Sequence, residues 1–274
     1  MTTLAPSSLD DQLLELQTRI KADASNAKLR IHLFQLLCVM GKWQRALAQL
    51  QLCAQLDPKA LAMAQTYREA IRSELFRAEV FAGRRTPQVM GQPPSWVGLL
   101  IEALKLDASG SQGAAAELRK RALDEAEPRA CRIDDSQCEW IADADSRLGP
   151  VCEVIANGQY YWLPFSACNA LRLDAPTDLR DLVWSPAEIL LPNEGRVPAL
   201  IPSRYPGSEN DLSTSADALK QSRQTVWMDR GNDMWHGLGQ RLWVSDVGEH
   251  PILDTRSVTF ADTPEFAKLN ERTD

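Results

Sequence analysis

The sequence predicts an α+β protein: an all-helical, tetratricopeptide-like segment over residues 1–130, then a β-rich segment with short helices over residues 131–274. Three observations carry this reading. Up to about Ala130 the apolar residues recur with the helical period of about 3.6. Beyond Arg132 they fall in short runs punctuated by Asn-Gly, Gly and Pro. Six of the eight tryptophans also lie beyond Arg132. The change is centred on Trp140–Pro150 (WIADADSRLGP), which sets Asp143, Asp145 and Arg147 beside apolar residues. Two carboxylates two residues apart and followed by an arginine make either a metal site or a salt-bridged turn.

Leu9, Leu13, Leu16 and Ile20 define the first helix, with Asp10, Asp11 and Glu15 near its start, where the helix dipole favours them. Ser25 or Asn26 caps a second helix through Leu29, Leu33, Leu36, Leu37 and Met40, which Gly41 ends. Trp43, Ala46, Leu47, Leu50, Cys53 and Leu56 mark a third, stopped by Asp57-Pro58. From Ala27 to Ala60 this pattern resembles one tetratricopeptide repeat, whose period is about 34 residues. Gly41 supplies the tight turn, Ala46 the close helix approach and Pro58 the stop. Further helices are predicted over Leu61–Phe81, over Ser95–Leu106 after the Gly91-Gln92-Pro93-Pro94 break, and from Gln112 to Glu125, with Pro128 closing the series.

Val151–Ile155 and Tyr160–Leu163 read as strands joined by Asn157-Gly158, a strong hairpin signal because both residues tolerate positive φ. A second hairpin is expected from Glu188–Leu191 and Val197–Ile201 around Asn193-Glu194-Gly195. Between Ser213 and Gln221, Thr214 and Asp217 suggest a capping box on a short helix. Arg241–Val247 and Ile252–Phe260 read as late strands joined across Gly248. The expected product is a small, mostly antiparallel sheet or partial barrel.

The chain carries 37 acidic against 30 basic residues, a formal charge of -7, which argues against nucleic acid as a partner. No apolar run reaches the roughly 18 residues of a membrane span, and the N-terminus lacks the pattern of a signal peptide, so a cytoplasmic location is expected. The six cysteines form no C-x-x-C pair and stand mostly among apolar neighbours, as buried thiols do. His32, His236 and His250 fit no nucleophile or metal spacing, and no G-x-S-x-G is present.

Five segments in order resemble one family: Trp140–Pro150, Gly158–Pro164 (GQYYWLP), Leu179–Trp184 (LRDLVW), Pro202–Ser208 (PSRYPGS) and Gly237–Arg241 (GLGQR). Their order and spacing are similar to those of the ImpE/SciE/TagJ family, accessory proteins of bacterial type VI secretion, and the resemblance runs from about Leu9 to Phe260. It implies a non-catalytic adaptor that binds the N-terminal helix of the small contractile-sheath subunit and is linked to the AAA+ ATPase that dismantles the sheath. It carries over no catalytic residue, cofactor or metal ligand.

Two surfaces suit an amphipathic helix. One is the inner face of the repeat-like helices, at Ile31, Phe34, Gln35 and Cys38. The other is an aromatic groove anchored by Trp162, Trp184 or Trp227, with Tyr205 and the arginines Arg180, Arg204 and Arg241 nearby. For the arginines the preferred reading is as internal ties to Asp143, Asp145 and Asp181, because loop-rich segments need such ties. A different class of function, a divalent-cation-dependent sugar- or nucleotide-handling enzyme, would centre on Asp143 and Asp145.

Overall fold

The computed structural model describes residues 7–264. Helix α1 (Leu9–Ala22) is capped by Ser8, whose hydroxyl accepts from the Asp11 amide. Asn26 caps α2 (Ala27–Val39) in the same way through the Leu29 amide. Gly41, at φ +67°, turns the chain into α3 (Trp43–Leu56), and a 3₁₀ turn over Pro58–Ala60 leads into α4 (Leu61–Phe81). Next come β1 (Gln88–Val89), α5 (Ser95–Ala108) and α6 (Gln112–Glu125), the last two packed as a pair.

Thirteen further strands follow: β2 (Cys131–Ile133), β3 (Ser136–Cys138), β4 (Ile141–Asp143), β5 (Val151–Ala156), β6 (Gln159–Pro164), β7 (Ala170–Leu173), β8 (Trp184–Leu190), β9 (Arg196–Pro202), β10 (Thr225–Asp229), β11 (Trp235–Gly239), β12 (Leu242–Ser245), β13 (Gly248–Pro251) and β14 (Ser257–Phe260). One helix, α7 (Ala216–Lys220), lies between β9 and β10. Nine strands form one sheet in the order β1-β6-β5-β9-β8-β7-β14-β2-β3, antiparallel except where β1 runs parallel to β6. A three-stranded sheet, β13-β12-β4, and the β10-β11 ribbon complete the β-structure.

The helices cover one face of the large sheet. Side chains alternate along a strand, so Val151 and Ile155 of β5 join a core with Leu33, Phe34, Leu37, Trp162 and Trp184, whereas Cys152 and Val154 join a second core with Leu163, Ile189, Ile201, Trp243 and Phe260. Every residue of β5 is buried. A strand covered on both faces reads as a nearly unbroken apolar run, and VCEVIA is such a run with one exception, Glu153.

The predicted helices are all present, as are both hairpins, at Asn157-Gly158 and around Glu194. Three expectations are corrected. The late strands are not one hairpin: β12 turns through Asp246-Val247 into β13, while Ser257–Phe260 enters the large sheet between β7 and β2. No capping box forms at Thr214 and Asp217, because Ser215 is the N-cap residue without a side-chain bond and the Asp217 carboxylate accepts from the Leu9 amide, 2.8 Å away, at the start of α1. The sheet is also much larger than expected, since two- to four-residue strands such as β1, β2, β3 and β7 show no period of their own.

Gly239 has φ +87°, and a methyl group there would stand 2.0 Å from the Gln224 carbonyl oxygen. Gly110 has φ +83° with open space around it. Urea denaturation is expected to show Gly239→Ala costing about 3 kcal/mol or more and Gly110→Ala only about 1 kcal/mol, since the second carries backbone strain without a clash.

A buried charge network and the candidate interaction surfaces

Glu153 is fully buried and faces the helices from the middle of β5. It accepts from Arg77 of α4 twice, from Nε at 2.7 Å and from Nη2 at 2.8 Å, and it also pairs with Arg241 Nη2 and the Tyr160 hydroxyl. Trp162 Nε1 donates to the Tyr160 hydroxyl at 2.8 Å. Arg241 spends Nη1 on Asp143 and Nε on the Pro202 carbonyl at 2.9 Å. Arg77 also meets Glu74 at 3.3 Å, and Glu74 in turn accepts from Trp184 Nε1 at 3.0 Å.

The Asp143–Arg147 turn joins this network. Asp145 accepts from Arg147 Nε at 2.8 Å and from the Arg147 and Gly237 amides at 2.9 and 2.8 Å. Asp143 accepts from the Asp145 amide at 2.9 Å and from the Tyr205 hydroxyl at 3.2 Å. Both carboxylates are thus occupied by guanidinium, amide and hydroxyl donors, the arrangement of a salt-bridged turn. Among the described residues, no group of three or more His, Cys, Asp and Glu side chains stands where it could hold a metal ion. All six cysteines are buried free thiols.

Among the described residues Glu74, Asp143, Asp145, Glu153 and Asp181 match Arg77, Arg119, Arg147, Arg204 and Arg241 in number, so the buried formal charges balance. Their acidities do not. Burial pushes Asp143 up to about 7 despite Arg241, with Asp145 and Glu153 adding to the rise. Burial acts on Glu153 too, but Arg77 and Arg241 outweigh it and hold that carboxyl at about 2. The difference follows from the wiring: Glu153 takes two guanidiniums, and Asp143 shares one of them.

The structure gathers most of the predicted interaction residues into this interior. Phe34, Cys38, Trp162, Trp184, Tyr205, Arg204 and Arg241 are buried, while Ile31, Gln35, Arg180 and Trp227 are half-buried. Phe34 packs on Tyr67, Tyr67 on Trp184, and Trp184 on Trp43, so the Phe34 part of the inner face of α2 is covered by the chain's own aromatic residues, while Ile31 and Gln35 stay half-buried. Arg204 reaches the last carbonyls of α2, Cys38 at 3.1 Å and Val39 at 2.6 Å, and the Lys220 carbonyl at 2.6 Å. A cation at a helix C-terminus is favourably placed. Trp227 stacks on Tyr205, with ring centroids 5.5 Å apart. Of the three arginines read as ties to Asp143, Asp145 and Asp181, Arg180 instead pairs with Asp178 and lies over the Tyr67 ring, and Asp181 accepts from the Thr177 and Asp178 amides.

Sequence reasoning missed the Arg77–Glu153 pair, whose members stand 76 residues apart. The available signal was a lone glutamate in an otherwise apolar strand. It also missed an apolar groove of about 720 Å³ between the α5 N-terminus, the α6 C-terminus and β4. Trp96, Leu123, Trp140, Ile141 and Phe165 line it, and Leu123 is 47% exposed. No helix among the described residues is long and apolar enough to cross a membrane.

A helical layer locked to a mixed sheet by buried arginine–carboxylate pairs defines an α+β scaffold whose buried charged residues hold its layers together. The type VI secretion system accessory component TagJ of Pseudomonas aeruginosa strain PAO1 is 48% identical over 260 residues, 95% of this chain and 90% of that one. A family model described as ImpE protein matches residues 135–259. The crystal structure of a Vibrio parahaemolyticus protein matches with a TM-score of 0.83 at 25% identity, covering 94% of this chain and 96% of that one. The chain belongs to the ImpE/TagJ family.

Glu153→Gln strips charge from a site between two buried guanidiniums and is expected to cost about 3–5 kcal/mol. Asp143→Asn should cost less than Glu153→Gln at pH 7, because burial already favours the neutral carboxyl that asparagine resembles. Chemical denaturation of both variants checks the ranking. The sign of the pH dependence follows from linkage. Asp143 binds its proton more tightly in the folded chain than its ordinary 3.8, so its contribution is complete near pH 4 and declines as pH rises towards 7. The stability of wild type relative to Asp143→Asn is therefore expected to fall over that window. A difference that stayed flat instead would show that Asp143 is ionised throughout.

Proposed function

We propose that this chain is a non-catalytic adaptor of type VI secretion, docking the N-terminal helix of the small contractile-sheath subunit and linking the sheath to its AAA+ disassembly ATPase. The observation that carries this reading is the 48% identity, across 95% of the chain, to a type VI secretion accessory component. The interior supports it. The buried carboxylates and guanidiniums are engaged with one another or with backbone groups, which suits a framework better than a reaction centre. His236 is held neutral, its value lowered to about 4 by burial and by Arg147, and the donors on Asp143 and Asp145 leave a cation little to bind. A free helix that orders on docking loses entropy, so binding would draw on buried apolar surface framed by polar contacts.

Calorimetric titration with a peptide of the small sheath subunit's N-terminal helix tests the proposal. Saturable one-to-one binding, unchanged by a chelator, is the expected result. Absence of binding at high micromolar peptide would overturn the sheath-docking part, and binding abolished by chelator would point back to a metal-dependent site.

A further inference from the structure

We infer that the groove between α5, α6 and β4 is where the partner helix lies, its apolar stripe on Trp96, Leu123, Trp140, Ile141 and Phe165 and its basic flank facing Glu125 and Glu127. This rests on the adaptor reading above and adds the location and the chemistry of recognition. The competing surfaces are largely taken up by the fold: Phe34 of α2 packs on Tyr67 and Arg204 reaches the terminal carbonyls of that helix, and Trp162 and Trp184 are wholly buried and hydrogen-bonded to Tyr160 and Glu74. A partner reaching any of those side chains would first have to open the core.

The groove is already open at its wall, where Leu123 is exposed and Trp140 half-buried over a floor of buried Trp96, Ile141 and Phe165. Its volume of about 720 Å³ falls within the range of established ligand sites, and Leu123 already stands 47% exposed at its wall. Its charge selects the occupant. Glu125 and Glu127 are exposed on the α6 side, whereas Arg129, the cation among the described residues lining the groove, is committed to Asp262 and to the Phe165 and Cys168 carbonyls. The rim therefore presents negative charge above an apolar floor, the complement of a helix with apolar residues at i, i+3 or i+4 and i+7 and lysines or arginines alongside. An added strand is disfavoured, because the outer edge of β4 is closed where the Asp143 amide donates to the Gly149 carbonyl at 2.7 Å.

The test uses the full chain and the same sheath peptide in calorimetric titration. Leu123→Asp is expected to weaken binding about tenfold or more. Glu125→Lys combined with Glu127→Lys should weaken it about fivefold at low salt, with the loss fading as salt rises. Leu61→Asp, at an exposed position on α4 away from the groove, should leave affinity unchanged. Urea midpoints equal to wild type establish that each variant is folded, and Leu123→Ala replaces Leu123→Asp should the aspartate unfold the chain. Wild-type binding retained in both groove variants would overturn the assignment and leave the adaptor reading standing. A wild type that fails to bind at all would overturn both. Sedimentation that showed a dimer lost only in the groove variants, with peptide affinity unmoved, would give the groove to a second copy and likewise overturn the proposal.

Discussion

Glu153 is the group on which the arrangement of this molecule depends. It is a carboxylate with no exposure, in the middle of a strand covered on both faces, bound by Arg77 from the helical layer and by Arg241 from the strand segment that leads into β12. Taking such charges out of water costs several kcal/mol per ion, and their attraction offsets this only when the geometry satisfies nearly every donor and acceptor. That condition couples distant parts of the chain. A shift of α4 along the sheet would separate Arg77 from Glu153, and a shift of β12 would separate Arg241 from both Glu153 and Asp143. Apolar contacts tolerate sliding, whereas a two-pronged guanidinium–carboxylate contact does not. The network therefore sets the register between the layers, while the apolar cores supply most of the driving force.

Arg204 extends the same logic to the repeat-like helices. Its guanidinium binds the carbonyls that end α2, and the Gly41 turn that follows packs directly on Glu209, where a methyl group at Gly41 would stand 2.5 Å from the glutamate Cβ. The helix pair is thus held at its turn by the β-half. In a free-standing tetratricopeptide array the inner face of the first helix lines a groove; here Tyr67 and Trp184 stand in that place. The segment retains the local features of the repeat, a tight glycine turn and a small residue at the helix crossing, but uses its inner face as core.

Much of the fold was legible from the residues themselves. Leu9–Leu13–Leu16–Ile20 and the long α4 declare their helices because 14 to 21 residues give a period room to repeat. Asn157-Gly158 declares its hairpin because backbone conformation at both positions is demanding, with φ of +50° and +74°. The three-residue strands could not be read, since their existence depends on partners supplied elsewhere: β2 is a strand because β14 arrives beside it from more than a hundred residues away. The candidate site was legible by composition and not by placement. Arg204, Arg241 and Tyr205 were named among the candidate partner contacts, and their side chains turn inward to bind Cys38, Asp143 and Leu242. Charge and aromaticity in a sequence mark residues that make strong contacts, and do not say whether the contact is with the same chain.

That distinction decides where a partner can be engaged. A surface whose best hydrogen-bonding groups are already satisfied within the molecule has little polar energy left to offer, and disturbing those groups would expose uncompensated charge in the core. Recognition by such a molecule falls to features the fold does not use: apolar side chains left part-exposed where layers fail to close, and exposed carboxylates beside them. Leu123, Trp140, Glu125 and Glu127 are features of this kind, brought together by the meeting of α6 with β4. They could not have been found by asking which residues look most reactive. They emerge only when the residues that look most reactive have been accounted for, one donor and one acceptor at a time.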